Sequence, residues 1–379
     1  MHPGLQRALF CTTLAGVFVV FFSARTFAQA SPSSAATEAS KRSAGNHDLG
    51  LTRSYHEDWS AISLVQNTLI PEKPVIGALD DIPGSTFVRE RFQMQWRPSD
   101  PLDLFVVRPK GVTKPPVILY LYSFPQDTDR FKDNAWCTTV TSGGYAAVGF
   151  VSALTGHRME HRAVKEWFVS ELQEALGAST HDVQMILNYL DTRGDLDMDH
   201  VGMFGQGSGG TIAILASAAD ARIKVLDLLT PWGDWSNWLA KAKIVPEEER
   251  VRYLTPDFLA RAGILDPILW LPKIRAQSLR IQDVRQDPQM PDESEEKMEA
   301  AAPDRTEINE FGDSAALFPK VTGGRLLDWM KGHVAPGSAR ETAPAKSERV
   351  HVYPAKANTG LPIPLPTSSG STAIPSTQP

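Results

Sequence analysis

The sequence has very little cysteine, with only Cys11 and Cys137 among 379 residues. Cys11 lies in an N-terminal segment that we expect to be removed, so Cys137 would be left alone and no disulfide bond could form within the chain. The fold must then be stabilised by a packed core. A lone cysteine of this kind is more often a small buried apolar residue than a nucleophile.

The sequence also lacks an excess of positive charge and a long apolar run. Its formal net charge is −6, which argues against nucleic acid or an anionic membrane surface as the main partner. Its principal apolar stretch, residues 8–22, is too short to predict a membrane span. We therefore expect no stable membrane span once the N-terminal segment is removed, and the oligomeric state stays open.

Both ends of the chain differ in composition from the middle. Residues 1–30 resemble a signal peptide, because Arg7 precedes the apolar stretch and Ala28-Gln29-Ala30 forms a cleavage pattern. Cleavage would remove two arginines and no acidic residue, which moves the net charge from −6 to −8. We predict an exported protein, periplasmic or extracellular. Residues 31–48 are predicted to be a flexible spacer, and residues 335–379, with eight prolines, a disordered tail with one possible strand at 349–353.

Between these ends, apolar runs typical of strands alternate with helical patterns. Predicted strands cover 91–96, 102–107, 117–122, 145–151, 200–204, 223–229, 279–284 and 306–311. Predicted helices cover 130–142, a segment beginning at Ser179 or Thr180, 211–219 and 326–331. This alternation predicts an α/β fold with a mostly parallel central sheet and helices on both faces. We assign 49–90 to an N-terminal extension and 91–334 to the main domain.

One strand, 200–204, leads into a glycine-rich turn and then a helix. The turn reads Gly205-Gln206-Gly207-Ser208-Gly209-Gly210. Here the chain resembles the α/β-hydrolase superfamily, in particular its dienelactone hydrolase, acetyl xylan esterase and prolyl oligopeptidase branches. The resemblance covers about residues 91–333. It implies the α/β-hydrolase fold, a small helical cap at 235–275, and a nucleophile on a strained turn flanked by glycines.

The glycine-rich turn, which would be the nucleophile elbow of the superfamily, can be aligned with this pattern in two registers. With Gly205 and Gly209 as the flanking glycines, the nucleophile position holds Gly207, which tolerates a positive φ at no steric cost. With Ser208 as nucleophile, the bulky Gln206 stands where close packing needs glycine. The first register fits better, and Ser208 would then be a serine that caps the following helix. The elbow residues are Gly205, Gln206, Gly207, Gly209 and Gly210.

The resemblance also implies an acid, a histidine and an oxyanion loop. Asp287 stands at the acid's position, although a turn aspartate before proline is an equal interpretation. No histidine follows the strand at 306–311. The oxyanion loop would contain Ser123 and Phe124, where many relatives have His-Gly, and the next residue, Pro125, has no N–H to donate.

A rearranged catalytic site can still be drawn from residues that follow other strands. Ser208 with His157 and either Asp287 or Asp234 would form such a set. A surface histidine in a loop is the simpler interpretation of His157.

Three further features are read as structural. Asp195, Asp197 and Asp199 stand where a calcium loop would need a glycine and a glutamate that are missing, so we expect a solvated turn between a helix and a strand. We expect no metal and no cofactor. Tryptophans 232, 235, 238 and 270 are expected to pack the cap onto the body, although an aromatic cap could also hold a ligand. Residues 293–299 form a charge run that we assign to the solvated face of a helix.

Three functions are compatible with these residues, and the sequence leaves enzymatic activity open. The first is a hydrolase-fold protein with a degenerate triad, weak or no catalysis, and a small ester or peptide-like ligand in the capped pocket. The second is a serine ester hydrolase or peptidase that uses Ser208 in the shifted elbow. The third is a partner-binding protein of the cell envelope.

Overall fold

The computed structural model describes residues 56–64, 75–97, 100–125, 128–154, 158, 168–322, 325–335 and 350–352. The predicted signal peptide, the spacer, His157 and most of the predicted tail lie outside the described residues.

A ten-stranded sheet forms the centre of the described structure, in the order β1-β2-β3-β5-β4-β6-β7-β8-β9-β10. The first three strands and the β3–β5 pair are antiparallel, and every other pair is parallel. The strands are β1 Val75–Asp80, β2 Phe87–Met94, β3 Leu102–Pro109, β4 Pro116–Leu121, β5 Ala146–Phe150, β6 Asp197–Gln206, β7 Ile223–Leu229, β8 Ser278–Val284, β9 Glu307–Phe311 and β10 Val350–Val352.

Helices cover the sheet on both faces. They are α1 Asn134–Thr141, α2 Leu172–Asp191, α3 Ser208–Ala219, α4 Trp235–Lys241, α5 Arg250–Tyr253, α6 Pro256–Gly263, α7 Pro267–Trp270, α8 Asp292–Ala301, α9 Ser314–Thr322 and α10 Asp328–Val334. Short 3₁₀ turns lie at Asp129–Lys132, Phe168–Glu171, Glu247–Glu249, Leu271–Lys273 and Arg325–Leu327. Alternate residues of β4 face two separate apolar cores, which contain α2 and α3 on one side and α1 and α10 on the other. The predicted fold class is therefore confirmed.

The sheet begins before residue 91, where the sequence placed the start of the main domain. β1 and β2 pair along their lengths, from Val75 opposite Gln93 to Asp80 opposite Arg89. Part of the expected N-terminal extension thus belongs to the sheet. At the other end, β10 lies within the expected strand at 349–353 and pairs in parallel with β9.

Helix α2 begins at Leu172, several residues before the start expected at Ser179 or Thr180. The hydroxyl of Ser179 donates to the carbonyl of Ala175, and that of Thr180 donates to the carbonyl of Leu176. Both side chains are therefore satisfied one turn back inside the helix. Serine and threonine are typical of helix starts, which is why the sequence pattern predicted one here. The pattern does not reveal that these two side chains instead bond one turn back inside a longer helix.

A buried network of charged groups joins the N-terminal segment to α2 and to the end of β2. Asp182, in the middle of α2, accepts hydrogen bonds from Arg97, Arg158 and the Trp96 indole. Arg97 also pairs with Glu57. The pKa of Glu57 lies well below its usual range, because hydrogen bonds from His181 and Arg97 outweigh the opposing effect of burial.

Candidate functional site

The glycine-rich turn lies between the end of β6 and the start of α3, at the carboxyl edge of the parallel strands. Gly207 occupies the turn itself, with φ of 54° and ψ of −120°. Residues that carry a side chain rarely adopt this backbone conformation, whereas glycine adopts it freely. This is the strained strand-to-helix geometry that the fold uses for a nucleophile, and here its apex carries no side chain.

The neighbouring glycines are needed for close approach of the backbone. A Cβ at Gly205 would lie 2.6 Å from the carbonyl oxygen of Gly209 and 2.7 Å from the Cα of Gly210. A Cβ at Gly209 would lie 2.6 Å from the carbonyl carbon of Leu121. This geometry favours the register in which Gly205 and Gly209 flank Gly207, with Gln206 as the last residue of β6.

The space beside Gly207 is already filled. A Cβ at Gly207 would lie 2.9 Å from the Cβ of Ser123, closer still to the Ser123 hydroxyl oxygen, and 3.3 Å from the Trp232 ring. The Ser123 hydroxyl is buried and has no hydrogen-bond partner among the described residues. The side chain from the oxyanion loop therefore takes up the room that a nucleophile at the apex would need.

Ser208 uses its hydroxyl in a contact with the same loop. Its Oγ accepts a hydrogen bond from the backbone N–H of Phe124 at 2.8 Å, and the residue is 3% exposed. It makes no capping hydrogen bond to α3, contrary to the expected capping role. In an oxyanion hole a donor from this loop would point at the substrate oxygen. Here that N–H is already paired with a protein oxygen.

Asp287 lies in a turn after β8, where the acid was expected. Its carboxylate accepts the backbone N–H of Gln289 at 2.8 Å, and burial raises its pKa. Asp234, the other candidate acid, accepts hydrogen bonds from Lys297 at 2.7 Å and Ser294 at 3.2 Å. Neither acid has a histidine partner in the described part of the chain, and the position of His157 stays a prediction.

Three of the described histidines serve other parts of the fold. His181 bonds to Glu57 and to the carbonyl of Ala61, and His200 pairs with Asp197 in β6. His333 stacks on Trp329 in α10. Across the described ranges, no histidine bonds to Ser208, so no general base stands next to its hydroxyl.

The tryptophan-rich segment after β7 forms short helices, α4 to α7. Trp232, Trp235 and Trp238 are at most 2% exposed, and Trp238 packs against both of the others with ring centroids 5.0 and 5.5 Å apart. These three rings pack the segment onto the body, as one of the two sequence interpretations expected. They are too buried to form an open aromatic platform for a ligand.

Four carboxylates gather around Arg285, next to the Asp287 turn. Arg285 pairs with Glu310 at 2.7 Å, Glu295 at 3.2 Å and Glu299 at 3.5 Å, and Asp283 is buried beside them. Burial and the neighbouring carboxylates raise the pKa of Asp283, and burial raises that of Glu295 to about 8 despite Arg285. Residues 295 and 299 are buried, so the charge run is only partly solvated, contrary to expectation.

We expect this cluster to make the free energy of unfolding depend on pH. With its pKa raised to about 8, Glu295 should keep its proton in the folded state over much of the interval above 4.5, where the unfolded chain loses it. The folded state binds more protons in that interval, so the free energy of unfolding falls as pH rises from about 4.5 to about 8. Glu295→Gln should reduce this fall and stabilise the protein near pH 8 by a few kcal/mol, measured by urea denaturation at several pH values.

Glu296→Gln is the matched control, because Glu296 is the exposed neighbour on the same helix. It should leave the pH profile unchanged. A Glu295→Gln profile parallel to that of the wild type would show that Glu295 titrates normally.

No three His, Cys, Asp or Glu side chains within the described residues are grouped so that they could hold a metal ion. Along the same ranges, every helix is too short or too polar to cross a membrane.

Comparison with known proteins assigns the fold. No protein-family model matches the chain, and no curated protein matches its sequence. Acetyl xylan esterase 1 from Thermoanaerobacterium sp. JW/SL YS485 has a TM-score of 0.53 at 14% identity, over 68% of this chain and 88% of that chain. The acetyl xylan esterase from Paenibacillus sp. R4 has a TM-score of 0.52 at 15% identity, over 67% of this chain and 89% of that one. The chain has the α/β-hydrolase fold, as the sequence resemblance predicted.

Proposed function

We propose that this protein binds a small molecule on a hydrolase scaffold and does not hydrolyse esters by the serine chemistry of the fold. The observation that carries the proposal is Gly207 at the apex of the elbow, where φ is 54°. A glycine has no atom that can attack a carbonyl carbon. The acetyl xylan esterases with the same fold are named for ester hydrolysis, and that activity is not carried over to this chain.

Two further observations support the loss of catalysis. The N–H of Phe124 is paired with Ser208 Oγ, so a substrate oxygen would have to displace that contact before it could be stabilised. No described histidine is placed to take a proton from Ser208. Acyl transfer depends on a nucleophile, a base and an oxyanion donor. In the described residues the nucleophile position holds glycine, the Phe124 N–H is occupied, and no histidine bonds to Ser208.

The direct test is turnover of p-nitrophenyl acetate together with labelling by a fluorophosphonate probe. We expect the wild type and Ser208→Ala to hydrolyse the ester at the same rate, equal to that of the matched mutant Ser217→Ala within error. Ser217 is a buried serine near the other end of α3. We also expect no covalent label on folded protein. Circular dichroism on each sample shows that the fold is intact.

A second candidate is a serine hydrolase that uses Ser208, and one observation favours it: the Ser208 hydroxyl lies against the oxyanion loop. Turnover and labelling that disappear in Ser208→Ala but persist in Ser217→Ala would establish this function and reject the first proposal. His157→Ala would then show whether that histidine is the base.

We further propose that the protein is exported, on the basis of the sequence of residues 1–30. Cell fractionation of the full-length protein should place it in the periplasm or the medium, with Ala30 as the last residue removed. Recovery of the uncut chain from the cytoplasm would contradict this proposal.

A further inference from the structure

Residues 56–64, here called the docked segment, contact helix α2 through a histidine that is completely buried. His181 lies in the middle of α2 and is 0% exposed. Its Nδ1 lies 2.6 Å from a carboxylate oxygen of Glu57, and its Nε2 lies 2.7 Å from the carbonyl oxygen of Ala61. Both distances are those of hydrogen bonds. One ring therefore joins the helix to two points of the docked segment.

The two partners of the ring are both acceptors, and this determines how many protons the ring carries. A carbonyl oxygen has no proton to give, so Nε2 must donate to Ala61. The Glu57 carboxylate is paired with Arg97 through both of its oxygens. Despite its burial, the pKa of Glu57 lies well below its usual range because of hydrogen bonds from His181 and Arg97. Glu57 is therefore ionised, and Nδ1 must donate as well. Only the imidazolium form has both N–H groups.

Loss of a proton from this ring would break one of the two contacts. A ring lone pair would then face the oxygen of Glu57 or of Ala61 in a fully buried position, and two lone pairs repel each other. A histidine in water gives up its proton near pH 6.5, so the docked form binds a proton that the undocked form releases above about that pH. Docking must therefore weaken as the pH rises.

Charged groups from several elements surround the ring, and few of them can titrate near neutral pH. The described groups there are His56, Glu57 and Asp58 of the docked segment, Arg97 after β2, Asp100 before β3, Arg158 after β5 and Asp182 of α2. Arginine stays charged to above about pH 12, and carboxylic acids ordinarily ionise near pH 4. Of these described groups and His181 itself, only the two histidines are of a type that changes charge between about pH 6 and 9.

The docked segment also has an attachment that needs no titratable group. The side-chain amide of Gln184 donates to the carbonyl of Ile62 at 2.6 Å, and its oxygen accepts the N–H of Leu64 at 3.1 Å. An amide side chain does not titrate in this range, so these two contacts persist at any pH at which the protein is folded. Residues 57–61 are thus the part of the segment whose attachment depends on the proton of His181.

We propose that His181 is a proton-dependent switch, which holds residues 57–61 against α2 while its ring carries two protons and releases them when the ring loses one. The switch lies outside the elbow and acts whether or not Ser208 is catalytic, so it goes beyond the proposed function.

Amide hydrogen exchange of the full-length protein, followed by mass spectrometry of peptides, tests this switch. After correction for the intrinsic exchange rate, protection of residues 57–61 should fall at least about tenfold between about pH 6 and about pH 9. His181→Gln can donate to only one of the two oxygens and should show low protection at both pH values. His56→Gln changes the exposed histidine of the same segment, and this matched control should keep the fall of the wild type. Gln184→Ala should lower protection at both pH values and keep the ratio between them.

Nitrogen chemical shifts of the histidine rings give a second measurement that needs no variant. At about pH 7.5, where a histidine in water is mostly neutral, both ring nitrogens of His181 should carry protons. This measurement decides the question if His181→Gln does not fold.

Four results would overturn the proposal. They are an unprotonated ring nitrogen in His181 at that pH, equal protection of wild-type residues 57–61 at both pH values, and the same fall in His181→Gln as in the wild type. The fourth is a fall of equal size in every peptide, which would come from a global loss of stability such as the Glu295 cluster produces. Ester turnover that depends on Ser208 would reject the inactive elbow and leave the exchange result standing.

Discussion

Replacement of Asp182 by alanine is expected to lower the free energy of unfolding by about 3–5 kcal/mol, the usual cost of removing one partner from a buried ion pair. Asp182 is fully buried and accepts from Arg97 and Arg158, which are 3% and 2% exposed. Without it, two guanidinium groups lose a counter-charge in a place that water does not reach. Urea denaturation followed by tryptophan fluorescence measures the change.

Asp191→Ala provides the comparison, because Asp191 is exposed at the end of the same helix. Its effect should stay within about 0.5 kcal/mol, as for most surface substitutions. If the two variants lose the same small amount, the network around Asp182 does not contribute to stability as its burial indicates.

The second large effect concerns the elbow. Gly207→Ser places a hydroxyl at the nucleophile position, and we expect it to lower the free energy of unfolding by about 2–4 kcal/mol without producing esterase activity. Part of the loss is backbone strain at φ of 54°, and part is the overlap with Ser123. The double variant Gly207→Ser with Ser123→Gly removes the overlap and should recover about half of the loss.

A matched glycine separates the two causes. Gly84 also has a positive φ, 79°, but nothing lies within 4 Å of a Cβ built on it. Gly84→Ser should therefore show the strain alone, about 1–2 kcal/mol. A Gly207→Ser protein as stable as the wild type would mean that the turn can rearrange to accept a side chain, and the filled apex would then be no barrier to a nucleophile.

The sequence was sufficient to predict the fold and to place Gly207, and not Ser208, at the turn of the elbow. Strand and helix patterns are local, and the glycine spacing distinguished Gly207 from Ser208 because only glycine permits the close approach at 205 and 209. The contact between Ser208 and Phe124 joins residues 84 positions apart. No local pattern predicts a contact of that kind.

Two other features were missed for the same reason. Glu295 and Glu299 look like solvated residues in a charge run, and only the folded chain brings them against Arg285 and Asp283 in a buried cluster. The contacts of His181 with the docked segment join residues 124 and 120 positions apart. The sequence did contain one signal for the buried glutamates. Helix α8 begins with several acidic residues, and Ser294 and Met298, one turn apart, lie on its buried face beside Glu295 and Glu299.

Strand β10 has a practical consequence for anyone who shortens the chain. It is only three residues long, yet its pairing covers the free side of β9 from Asn309 to Phe311. A version that stops before residue 350 would leave those peptide groups open to any other extended chain, including a second molecule of the same protein. Self-association of a trimmed sample would then reflect the trimming and not the natural assembly state.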